Sequence, residues 1–134
     1  MPKVIVAGSR TFDDYPLMVR ELDRIRLRLS SMTIVSGTAR GADQLGERYA
    51  KQTGLEVIRM PADWDTYGKS AGYRRNERMA SIADICIVFW NGVSRGTQHM
   101  INIAREYELF LIVVNTDTGL TEEFVGKPKN TVFI

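Results

Sequence analysis

Hydrophobic period switches back and forth along this chain in a regular way. Short apolar runs lie at Val4–Ala7, Thr33–Val35, Val57–Met60, Asp84–Trp90 and Leu109–Val114. Segments of helical spacing separate them. Met18, Leu22, Ile25 and Leu29 follow one another by four, three and four positions, which is one helical face. Further helices are expected over about 42–53, 72–83 and 96–107, with Gly54 as a C-terminal stop for the first of these. Strands alternating with helices specify a parallel sheet covered by helices on both faces. With right-handed crossovers, the expected architecture is a doubly wound α/β three-layer sandwich with strand order 3-2-1-4-5. Ligands of such sheets bind beyond the carboxyl ends of the strands, where the winding reverses. Here that places a site at the loops after the first and fourth strands, with the loop after the second beside them.

A chain of 134 residues suits one domain, residues 1–134. At this size roughly two-thirds of the unfolded surface can be buried, so no disulfide or metal staple is needed. The single cysteine, Cys86, excludes an internal disulfide, and with a single histidine a structural metal site is not expected. No cofactor is implied. The charges nearly cancel, 18 basic against 16 acidic, for a net of +2. Bulk electrostatics alone therefore give no argument for nucleic acid or a membrane, and neither is the expected partner. The longest apolar runs, Ile85–Trp90 and Leu109–Val114, have six residues each, far below the ~20 that cross a bilayer. The N-terminal run is too short for a signal peptide. A reducing, cytoplasmic setting is the expectation.

The chemistry concentrates in three loops. Gly8-Ser9-Arg10 follows the first strand, Ser36-Gly37-Thr38-Ala39-Arg40-Gly41 the second, and Gly92-Val93-Ser94-Arg95-Gly96-Thr97 the fourth. Each combines glycine, a hydroxyl residue and arginine, and the latter two open onto helices. Glycine lets the backbone turn sharply and expose N–H groups, and a helix N-terminus carries about half a positive charge. Hydroxyls add donors, and arginine forms paired hydrogen bonds to phosphate. One such loop is an ordinary turn; three at one sheet edge make an anion pocket suited to phosphate or pyrophosphate. Asp43, at a helix start, reads either as a cap or as a group holding a ribose hydroxyl.

Standard fingerprints are absent. No Gly-x-Gly-x-x-Gly follows the first strand, and there is no P-loop. His99 lacks a nucleophile elbow to serve, so it reads as a packing or ligand-contact residue. Cys86 reads as a buried inert thiol. Residues 61–71 show no period and are read as an ordered loop near the site, with Trp64 and Tyr67 as candidates to stack on a base. Trp90 reads as packing or stacking. Arg20, Arg24 and Arg28 form a stripe on one helix, most simply a solvated face relieved by Glu21 and Asp23, and the one hint of a nucleic-acid surface. The tail beyond Asn115 is weakly patterned, with a candidate short strand at Thr131–Ile134.

As a set, Gly8-Ser9-Arg10, the segment Ser36–Asp43, Pro61-Ala62-Asp63-Trp64, Arg75-Asn76 within Gly72–Met79, and Ser94-Arg95-Gly96-Thr97 resemble the YspA-like branch of the SLOG (Smf/DprA–LOG) superfamily. The resemblance implies a Rossmann-like domain that binds nucleotides or nucleotide-derived ligands, and a homo-oligomer. It also reaches the Lonely-guy phosphoribohydrolases, which cleave the N-glycosidic bond of nucleoside 5′-monophosphates. Arg75-Asn76-Glu77-Arg78-Met79 resembles their Arg-Lys-x-x-Met segment with Asn76 in place of lysine. Gly96-Thr97-Gln98-His99-Met100 resembles their second motif with Met100 where the catalytic glutamate belongs. Methionine cannot accept a proton or stabilise an oxocarbenium-like centre. Any chemistry would then fall to Asp43, Asp63 or Glu77.

The expected function is thus binding, as sensor or sequestering module, of a nucleotide or nucleotide-derived phosphate ligand. Its contacts would come from Gly8, Ser9, Arg10, Ser36, Gly37, Thr38, Arg40, Gly41, Asp43, Trp64, Tyr67, Arg75, Asn76, Ser94, Arg95, Gly96 and Thr97. An N-glycosidase acting on nucleoside monophosphates or NAD-derived molecules is the alternative. Single-stranded DNA binding, by analogy with the DprA branch, comes third because of the near-neutral charge.

Overall fold

The computed structural model describes residues 1–125. Its sheet has six strands: β1 (Lys3–Gly8), β2 (Thr33–Ser36), β3 (Val57–Arg59), β4 (Ile85–Trp90), β5 (Phe110–Asn115) and β6 (Thr121–Phe124). They lie in the order β3-β2-β1-β4-β5-β6. The first five pair in parallel, as the alternation of periods requires, and the winding reverses between β1 and β4. The sixth strand is an addition to the expected order. It runs antiparallel along β5, from Leu111 opposite Phe124 to Val114 opposite Thr121. A turn at Asn115–Leu120 reverses the chain: the Asn115 side chain accepts from the Asp117 and Thr118 amides, and Gly119 adopts positive φ. The candidate strand at Thr131–Ile134 lies outside the described residues.

The helices are α1 (Tyr15–Arg28), α2 (Ala42–Thr53), α3 (Trp64–Tyr67), α4 (Ala71–Ile82) and α5 (Arg95–Glu106). Side chains on alternate strand positions enter two different cores, because successive residues of a strand point to opposite faces. Val4, Val6, Ile34, Ile87 and Phe89 pack under α1 and α2. Ile5, Ala7, Val35, Cys86, Val88 and Leu111 pack under α4 and α5. Strands covered on both sides read as continuous apolar runs, which is the pattern of β4.

The stretch 61–71 is not a plain loop. Asp63 caps a single turn, α3, by accepting from the Thr66 amide at 3.1 Å, and a 3-10 turn at Gly68–Ser70 leads into α4. The arginine stripe on α1 is engaged within the molecule. Arg20 and Arg24 pair with the buried carboxylate of Glu21 at 2.8 and 3.3 Å, and Arg28 with Glu123 of β6 at 3.5 Å. Arg20 also donates to the Gly119 carbonyl at 2.6 Å. Arg20 and Arg28 thereby tie α1 to the β5–β6 hairpin, while Arg24 pairs with Glu21 of its own helix.

Candidate functional site

The parallel strands bring the three loops to one rim. A cavity of about 520 Å³ opens there, lined from β1 and its loop by Ala7, Gly8, Ser9, Arg10 and Thr11, from α2 by Asp43, and from the fourth-strand loop and α5 by Ser94, Gly96, Thr97 and Met100. A second cavity of about 370 Å³ adjoins it, lined by Gly37, Thr38, Arg40, Gln44, Pro61 and Ala62. Arg10, Ala39, Trp64 and Arg75 line both and form the shared wall.

Local geometry explains how the loops approach so closely. Gly41 has φ +76°, and a Cβ on it would overlap the Ser9 carbonyl, so only glycine brings the two loops together. The Ser9 carbonyl in turn accepts from the Ala42 and Phe12 amides. At α5 the Ser94 hydroxyl receives the Thr97 hydroxyl at 3.0 Å, and the Ser94 carbonyl accepts from the Trp90 indole at 3.1 Å. That holds the start of α5, with its positive end, against the cavity.

The charge at the rim is mostly unpaired. Among the described residues, Arg10, Arg40, Arg75 and Lys69 make no ion pair. Arg75 donates from Nε to the Asn76 Oδ1 at 3.0 Å and from a terminal nitrogen to the Gly37 carbonyl. Among the described residues its other N–H groups make no further hydrogen bond. Burial pulls its pKa below the ordinary arginine value, and Asp43 opposes that pull. Asp43 is the one carboxylate lining the larger cavity among the described residues. Burial pushes its pKa up to about 6, against the Ala39 amide it accepts from at 3.1 Å and the nearby Arg75. Ser9 is buried, and its hydroxyl finds no hydrogen-bond partner among the described residues.

Several sequence expectations need correction. Ser36 is fully buried and donates to Glu47 at 2.7 Å while accepting from the Thr38 amide, so it shapes the loop rather than meeting a ligand. Gly41 lines neither cavity; it sits behind Arg10. Arg95 is exposed and lines neither cavity. At about 100° per residue, Gly96, Thr97 and Met100 share the inward face of α5 and Arg95 falls on the opposite one. Tyr67 lies beneath the Arg74 guanidinium at 4.5 Å, outside both cavities. Of the three candidate catalytic carboxylates, Asp63 is spent on its cap and Glu77 is exposed away from the cavities. Met100 is buried against the larger cavity.

Sequence reading passed over Tyr73 and Lys69, both of which line the larger cavity. The signal lay in the spacing. Lys69, Gly72, Tyr73 and Asn76 follow the i, i+3, i+4, i+7 rule of one helical face, and all four line it. Trp64 and Tyr73 also leave about half their surfaces open, 51% and 48%. No described helix is long and apolar enough to cross a membrane.

A family model described as the YspA, cpYpsA-related SLOG family matches residues 2–67. The Gene 61 protein of Mycobacterium phage D29 is 35% identical over 113 residues, covering 79% of this chain and 90% of that protein. Among solved structures, DNA processing protein A (DprA) from Streptococcus pneumoniae superposes with a TM-score of 0.66 at 22% identity, over 84% of this chain and 50% of that one. DprA from Helicobacter pylori, described for its unique single-stranded DNA binding mode, gives 0.60 at 19% identity, over 84% and 64%. The chain thus spans half to under two-thirds of these two proteins, and at such identities the likeness is one of fold. It still corrects the expectation against nucleic acid, since a protein of this fold binds single-stranded DNA and a balanced net charge does not exclude it. That expectation rested on net charge, which averages over the molecule and hides the cations gathered at the rim.

Proposed function

Because this chain belongs to the YspA, cpYpsA-related SLOG family, we propose that its rim is a site for nucleotide phosphates and that its ligand is single-stranded DNA. The observation that carries the reading is the shared wall of the two cavities, where Arg10 and Arg75 stand beside the open face of Trp64. A strand crossing from one cavity to the other would set a phosphate against the two guanidinium groups and a base against the indole. Tyr73 offers a second aromatic face on the larger cavity. Paired cations and aromatic platforms are the general means of holding single strands. The DprA structures support the reading through fold likeness.

The test is fluorescence anisotropy with a labelled oligothymidylate of about 12 nucleotides, a length in the range of single-strand sites. Binding should weaken with salt, by about 0.7 logarithmic unit per decade for each phosphate neutralised. Arg10→Ala and Arg75→Ala should each lower affinity by about tenfold or more and flatten the salt dependence by about one contact. No binding, or binding indifferent to both substitutions, removes the reading.

A second reading is favoured by the larger cavity alone. Its volume suits one nucleotide, and the unpartnered Ser9 hydroxyl and the start of α5 would serve a terminal phosphate. Displacement of the oligonucleotide by nucleoside 5′-monophosphates at micromolar concentration would favour it. Hydrolysis of an N-glycosidic bond has less support, with Met100 at the cavity and Asp43 as the one carboxylate there.

A further inference from the structure

His99 does not line either cavity, yet it is joined to the rim. Its Nδ1 lies 3.1 Å from Asn76 Nδ2, and its ring stacks on Tyr73 with centroids 4.1 Å apart. Asn76 is buried, and its Oδ1 accepts from Arg75 Nε at 3.0 Å. A guanidinium only donates, so it fixes the amide with Oδ1 toward Arg75 and the NH₂ toward His99. The NH₂ then needs an acceptor. His99 can supply one only as the neutral tautomer with its proton on Nε2.

We propose that His99 is a positioning residue for Arg75: its unprotonated Nδ1 locks the Asn76 amide, and Asn76 holds the guanidinium at the cavity wall. The proposal rests on the reading that Arg75 meets a ligand phosphate. Protonating Nδ1 sets N–H against N–H. Turning the amide over only moves the clash to Arg75 Nε. Either way a buried donor loses its partner, and when the amide turns over Arg75 loses one of its two tethers.

The surroundings favour the neutral ring. Burial lowers the His99 pKa, outweighing Glu77 of α4 and Glu106 of its own helix, which both favour the charged form. Tyr73 and Asn76 face it from α4, and the strands beneath α5 contribute apolar side chains and the Cys86 thiol to that core.

Chain chemistry makes the test direct, because His99 is the sole histidine. In tag-free protein a long-range ¹H–¹⁵N spectrum reads one tautomer. At pH 8 it should show an acceptor-type Nδ1 and a proton on Nε2. Asn76→Asp should move the histidine titration upward, since a carboxylate would welcome Nδ1–H. Oligothymidylate binding should then be compared in wild type and His99→Gln from pH 8 to pH 5. Internal phosphodiesters do not titrate there, and glutamine accepts from Asn76 without titrating. Asp43 titrates in both proteins and cancels in the ratio. The wild-type affinity relative to His99→Gln should fall about tenfold in acid, the worth of one lost hydrogen bond. Coulomb attraction alone predicts the opposite sign, because an imidazolium near the rim would tighten a polyanion. A constant ratio, a ratio that rises in acid, or a proton on Nδ1 at pH 8 overturns the proposal. Failure of all forms to bind DNA removes the functional reading instead, and the spectra still decide the tautomer and the Asn76→Asp shift.

Discussion

Asp43 is the residue at which site and stability conflict most directly. Buried beside Arg75 and Arg10, it titrates about 6 when folded and near its ordinary value of 3.8 when unfolded. Between those values the folded state holds more protons. Stability from this group is therefore fully present below the unfolded value and is lost as pH rises through about 6. Asp43→Asn keeps an oxygen for the Ala39 amide and removes the buried charge. Urea unfolding should find the variant more stable than wild type at pH 8, by at most about 3 kcal/mol, and equal to it near pH 3. A variant less stable than wild type at pH 8 would mean that the ionised carboxylate is paired more strongly than its neighbours suggest. The sequence placed Asp43 at a helix start. Its burial could not be read there, because it depends on how closely two loops distant in the chain approach, and that approach is set by Gly41 against the Ser9 carbonyl.

At the scale of elements, α2 lies against β1 through a glycine. A Cβ at Gly46 would come within 2.8 Å of Val6 Cγ1. Alanine raises helix propensity by about 1 kcal/mol over glycine, whereas overpacking a filled core costs about 1–3 kcal/mol. Packing should win. Gly46→Ala is expected to lower the urea midpoint without changing the slope of the transition. The same scale explains what the sequence could and could not reveal. The helical faces of α1 and α4 span three turns or more, so their spacing was visible. The α3 helix has four residues, too few to display a period. The β6 strand, Thr121-Glu122-Glu123-Phe124, lies at an edge with two acidic residues exposed. Without a buried face it carries no strong alternation, although the Asn-Thr-Asp-Thr-Gly turn before it was a legible signal.

For the molecule as a whole, the strand order followed from alternating periods and the handedness of crossovers. The location of the rim followed from the reversal between β1 and β4. Partner chemistry was the weaker inference, since it came from a sum of charges. Arg20, Arg24 and Arg28 belong to that sum but are held by Glu21 and Glu123, while the rim cations are not so held. The sheet carries one more consequence. Cys86 sits at its centre, fully enclosed between β1 and β5, and burial raises its thiol pKa far above the ordinary value. A thiol reagent can reach it only after the strands part. Its modification in native buffer should be slow, and in increasing urea its rate should track the population of globally opened molecules. The lone thiol thus serves as a built-in stopwatch for unfolding, one that needs no engineered label and ignores motions confined to the surface.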